Sequence, residues 1–134
     1  MAITWDPTLV LGVPEIDEQH RELFRRLDTL LEAIRAGQSR AEVGHTLAFL
    51  ADYAIHHFSA EETLMRDRAY PGLADHQGEH RAFGAELRAL QAEYQRDGPT
   101  ASLIIRVNTQ LTGWLRTHVY RTDRALADFI RGQR

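Results

Sequence analysis

His57-Phe58-Ser59-Ala60-Glu61 and His76-Gln77-Gly78-Glu79-His80 each carry two metal-competent side chains four residues apart. On a helix that spacing puts both on one face, one turn apart. Neutral imidazole and carboxylate form a donor set suited to iron, zinc or manganese. A single pair of this kind is common on surface helices and carries little weight. His20 and His118 strengthen it, because both stand where an apolar residue would continue a helical stripe. Burying an imidazole or carboxylate without a partner costs on the order of several kcal/mol. His20, His57, Glu61, His76, His80 and His118 on converging faces cannot satisfy one another by hydrogen bonding without surplus donors or charge. A metal removes the conflict, since it takes the imidazole lone pairs and neutralises the carboxylate.

Asp123 is a separate case. It follows His118 by five residues, about 140° around an α-helix, so it turns inward only if that helix ends or bends between them. Tyr120-Arg121-Thr122-Asp123 permits a break, with Thr122 or Asp123 starting a short last helix. Spacing alone leaves a helix N-terminal charge as an equal alternative. His45 lies off its stripe. His56 and Glu62 point about 100° away from their inward neighbours and read as surface residues.

The elements that must position these side chains are legible from punctuation. Gly37, Pro71-Gly72 and Gly98-Pro99 divide the chain into four helical segments after an N-terminal arm. The stripes run Ile16, His20, Leu23, Leu27, Leu30, Ile34; then Val43, Leu47, Leu50, Ala54, His57, Glu61, Leu64; then Leu73, His76, His80, Phe83, Leu87, Leu90, Tyr94; then Ile104, Val107, Leu111, Trp114, His118. Asp17 is placed to cap the first segment and Ser39-Arg40-Ala41-Glu42 is a capping box for the second. Rods of about 30 Å joined by short turns predict an all-α, antiparallel up-down-up-down four-helix bundle. Residues 1–15 read as an extended arm that Trp5, Val10 and Leu11 could lay on the bundle, and Thr122 to Arg131 as a short closing helix.

The chain has 134 residues, expected to form a single domain over 1–134, with 43% apolar and 26% charged residues. A net charge of −3 and the absence of a basic run argue against nucleic acid or an anionic membrane as partner. The absence of cysteine removes disulfide, thiolate-zinc and iron–sulfur chemistry. No signal-peptide layout or membrane-length apolar run is visible, so a cytoplasmic location is expected.

Taken together, Gly12-Val13…Ile16-Asp17-Glu18-Gln19-His20, His57-Phe58-x-x-Glu61-Glu62-x-Leu64-Met65, His76-x-x-x-His80 and Trp114-Leu115-x-x-His118-x-x-x-x-Asp123 resemble the hemerythrins, the bacterial ones in particular. The resemblance runs from Trp5 to the closing helix. It implies a centre of two iron ions (Fe2+/Fe3+) with an oxo or hydroxo bridge. His76, His80 and His118 would hold one iron, and His20 and His57 the other, which keeps an open position. Glu61 and Asp123 would bridge. It further implies that O2 binds reversibly there as hydroperoxide, in a carrier, storage or delivery protein rather than an enzyme. Trp114, Phe58, Leu111 and Val119 are candidates for the apolar walls of the O2 pocket, with plain core packing as the alternative. A protein partner for delivery or sensing is left open. The main competitor is a di-iron enzyme that activates O2, but such bundles use two Glu-x-x-His motifs, and this histidine-rich sequence has no such pair: its one instance, Glu42-Val43-Gly44-His45, falls on the off-stripe His45.

Overall fold

Pro14 takes the first helical position, where its missing N–H would have no partner in any case, and opens α1 (Pro14–Arg35). The helix ends in a two-bond cap: Gln38 N–H reaches Ala33 C=O and Gly37 N–H reaches Ile34 C=O. Gly37 sits at φ 69°, the left-handed conformation this cap requires. Ser39 accepts from Glu42 N–H at 3.1 Å and starts α2 (Arg40–Asp67), as the capping pattern predicts. α3 (Leu73–Asp97) follows and stops at Gly98, whose φ is 75°. Thr100 then caps the fourth rod by accepting from Leu103 N–H at 3.1 Å. The structure, a computed structural model, describes residues 7–132 apart from the Arg40 side chain, so the expectation for Trp5 lies outside the described residues.

The fourth rod differs from expectation. It does not break before a separate closing helix. It runs as α4 (Ala101–Ile105), a π-helical stretch Arg106–Leu111, α5 (Thr112–Thr117), a second π-helical stretch His118–Asp123 and α6 (Arg124–Gly132). The closing segment is thus present and joined through a widened turn.

The four rods are antiparallel. The start of α1 meets the end of α2 through His20 and Glu61, and the end of α2 meets the start of α3 through Glu61 and His76. His76 in turn meets Asp123, late in the fourth rod. Along α1, α2 and the fourth rod the buried sequence reads apolar, polar, apolar, and in α3 the half-buried Leu73 precedes His76 and His80. A large core containing Leu23, Leu27, Leu50, Phe58, Phe83, Leu90, Leu111, Leu115 and Val119 lies on one side of the polar layer. A smaller cluster of Leu11, Ile16, Met65, Leu126 and Ala127 lies on the other. The arm contributes Leu9 and Leu11 to burial, whereas Val10 is 40% exposed, so Val10 does not anchor it. Asp17 does not cap α1. It sits inside the first turn and accepts from the arm amides of Leu11 at 2.8 Å and Gly12 at 3.1 Å. Arg124 and Arg131 of α6 donate to Thr8 C=O and Leu11 C=O, which fastens arm and α6 together over the end of the bundle. No helix among the described residues is long and apolar enough to cross a membrane.

Candidate metal centre

The polar layer contains His20 from α1, His57 and Glu61 from α2, His76 and His80 from α3, and His118 and Asp123 from the second π-helical stretch, all buried. Their ligand atoms form two groups whose members lie within 4.8 Å of one another. One holds His76, His80 and His118, the other His20 and His57, and Glu61 and Asp123 belong to both. Each carboxylate presents one oxygen to each group. Glu61 Oε1 lies 3.1 Å from His76 Nε2 and 3.2 Å from His80 Nε2. Its Oε2 lies 3.3 Å from His20 Nε2 and 3.0 Å from His57 Nε2. Asp123 Oδ1 lies 2.9 Å from His76 Nε2 and 3.3 Å from His118 Nε2, while Oδ2 lies 2.9 Å from His20 Nε2.

The π-helical turn explains how Asp123 joins the others. An i→i+5 turn holds one more residue than an α-turn, so five residues complete roughly one turn and Asp123 returns to the His118 face. Five-residue spacing on an ordinary α-helix would require the helix to end or bend. The backbone stays helical and widens instead.

The donor chemistry fits a metal pair. His76 Nε2, His80 Nε2, His118 Nε2, Glu61 Oε1 and both Asp123 oxygens are buried, converge, and lack a properly directed hydrogen bond among the described residues. Buried polar atoms left this way are rare, and convergent ones are what a cation satisfies. Electrostatics agree. Burial disfavours the charged ring, yet Asp123 and Glu61 overcome it and raise His20 to about 9 and His76 to about 10. His118 is raised in the same way. Burial pushes Glu61 and Asp123 upward, but the surrounding rings hold both carboxyls well below their ordinary range. A site that draws positive charge this strongly suits cations.

Three residues that sequence reasoning left without a role support the rings from outside. His57 Nδ1 lies 2.6 Å from Gln19 Oε1, His80 Nδ1 2.9 Å from Glu62 Oε2, and His118 Nδ1 2.8 Å from Glu79 Oε1. With the Nδ1 proton donated outward, the Nε2 lone pair of each ring faces the centre. Each clamp is the sequence neighbour of an inward residue (Gln19 of His20, Glu62 of Glu61, Glu79 of His80) and holds a ring on the next rod. Glu62, a surface residue by its helical phase, is off the cage but reaches across to α3. Its adjacency to Glu61 was the available signal, and only the inter-helix geometry gives it meaning.

Phe58 stacks on His80 at 4.0 Å and 13°, and Trp114 on His118 at 4.6 Å and 9°. Leu111 and Val119 are buried in the large core beside them. His45 and His56 are exposed, against the rings of Phe49 and Tyr53 respectively, and take no part in the cage.

Known proteins resemble this chain along most of its length. The description of the Hemerythrin HHE cation binding domain matches residues 11–130. Bacteriohemerythrin from Stenotrophomonas maltophilia (strain R551-3) is 30% identical over 129 residues, 96% of this chain and 82% of that protein. Myohemerythrin from Theromyzon tessulatum is 26% identical, across 89% of this chain and 86% of its own. A crystal structure of wild-type hemerythrin aligns with a TM-score of 0.82 at 26% identity, covering 96% of this chain and 97% of that one.

Proposed function

The chain belongs to the hemerythrin family, and from that premise we propose that it binds O2 reversibly at a non-haem di-iron centre and is a carrier or store rather than an enzyme. One observation carries the reading: two ligand groups share both carboxylates, one oxygen to each, and differ by one histidine. In this reading His76, His80 and His118 would hold one iron, His20 and His57 would hold the other, and Glu61 and Asp123 would be shared between them. Bound there, the two irons would supply the two electrons that reversible O2 binding needs, and the two-histidine group, with one ring fewer, would leave room for O2.

The residues of the chain have three tasks. Gln19, Glu62 and Glu79 fix ring tautomer and orientation by accepting from Nδ1. Phe58, Trp114, Leu111 and Val119 wall the site with apolar surface, which keeps water away from it. Leu11, Leu126 and Ala127 close the end under the arm.

Anaerobic reduction followed by mixing with O2, with iron counted per chain, tests the reading. Two irons and an absorption band that returns to the reduced spectrum when O2 is removed are expected. Rapid decay of the band with formation of a product would make the protein an enzyme, and the absence of any O2-dependent band would end the proposal.

A further inference from the structure

The three clamps are not alike. His80 and His118, in the three-histidine group, donate to the carboxylates of Glu62 and Glu79. Both carboxylates are themselves held in place. Gln77 donates to Glu62 at 3.1 Å, and Thr122 donates to both oxygens of Glu79 at 2.8 and 3.1 Å. His57, in the two-histidine group, meets the neutral amide of Gln19 instead. An anionic acceptor pulls the Nδ1 proton toward itself and makes the ring a stronger donor through Nε2, whereas an amide does so weakly. Gln19 lies in a cleft lined by charges of both signs, Glu15, Glu18 and Glu22 with Arg21 and Arg25. An acidic residue would not be foreign to that surface, yet the position touching His57 is an amide.

We propose that Gln19 is the positioning residue that sets the two metal positions apart electronically: its neutral amide leaves His57 a weaker donor than His80 or His118, so the two-histidine metal holds its electron more firmly. The inference rests on the di-iron reading above. Its consequence is a centre in which the three-histidine metal is the easier to oxidise and the open position resists one-electron loss to O2. That resistance is what reversible binding requires.

The test pairs Gln19→Glu, which keeps shape and acceptor but adds charge, with Gln19→Ala, which removes the acceptor. Two readouts are independent of O2 binding. One is stepwise Co2+ binding to the metal-free protein, where Gln19→Glu should tighten the weaker of the two binding steps about tenfold and Gln19→Ala should weaken it at least as much. The other is the reduction potential of the iron-loaded protein. Gln19→Glu should lower it by a comparable factor, with tenfold equal to 59 mV for one electron. Glu62→Gln should instead act on the tighter Co2+ step. A purely structural role would make Gln19→Glu silent while Gln19→Ala loses metal, and that outcome would overturn the proposal. A wild-type protein that loads two metals but gives no O2-dependent band would overturn the O2 reading and leave the Co2+ comparison standing.

Discussion

A carboxylate that offers one oxygen to each of two metals cannot be replaced by an amide, whose nitrogen is a donor with no lone pair to give. Under the di-iron proposal Asp123 has that role, since its Oδ1 faces His76 and His118 and its Oδ2 faces His20. Asp123→Asn is therefore expected to lose at least one iron per chain while helix content by circular dichroism stays within a few per cent. Asp128→Asn, on an exposed turn of α6 where Asp128 pairs with Arg131, should keep full iron content. Equal iron in both variants would mean that Asp123 is a structural charge. The adjacent histidines give a second comparison. His57 is buried against Glu61 and Gln19, whereas His56 is exposed beside Tyr53. His57→Ala should abolish metal at the two-histidine position and His56→Ala should leave metal content and spectrum unchanged, as measured by elemental analysis. Iron loss in the His56 variant alone would show that the wrong ring had been assigned.

At the scale of elements, the widened turn at His118–Asp123 makes a prediction that a regular helix would not. Tyr120 is exposed within it. Deleting Tyr120 leaves Asp123 four residues after His118, the spacing that shares a face on an ordinary α-helix, so metal binding should survive. Inserting one alanine after Tyr120 sets the spacing at six and turns Asp123 away, so metal content should fall. If the deletion also empties the site, the π geometry itself aims the carboxylate. The same turn shows where sequence reasoning stopped. Stripes alternating by three and four residues made the rods readable, and Glu61, His76 and His80 could be placed because they follow that rule. Asp123 breaks the rule by one residue, and nothing in Tyr120-Arg121-Thr122 distinguishes a widened turn from a broken helix. Gln19, Glu62 and Glu79 were unreadable for a related reason. Periodicity assigns residues to a face of their own helix, and these three act across the gap to the next one.

For the molecule as a whole, a layer of imidazoles and carboxylates separates the large core from the small cluster under the arm, so stability depends on what satisfies that layer. Removing metal should lower the melting temperature on the order of 10 °C. Its pH dependence should also change sign. In the metal-free chain, Asp123 and Glu61 raise His20 to about 9 and His76 to about 10, against an ordinary value of 6.5. A raised histidine contributes its full stabilisation below pH 6.5 and loses it as pH climbs through the folded value, so the metal-free protein should weaken steadily from about pH 6.5 to 10. The carboxyls of Glu61 and Asp123 are lowered. Their contribution is present above the ordinary carboxyl range of about 4 and fades only as pH falls below it. In the metal-loaded protein the cation replaces those ring protons, so the folded state binds fewer protons than the unfolded chain below pH 6.5. Its stability should rise toward pH 6.5 and then stay level. Melting curves of both forms from pH 5 to 10 measure the two profiles directly. Parallel profiles above pH 6.5 would show that metal and protons do not compete for the same ring nitrogens, and the five histidines would then have to be satisfied in some other way.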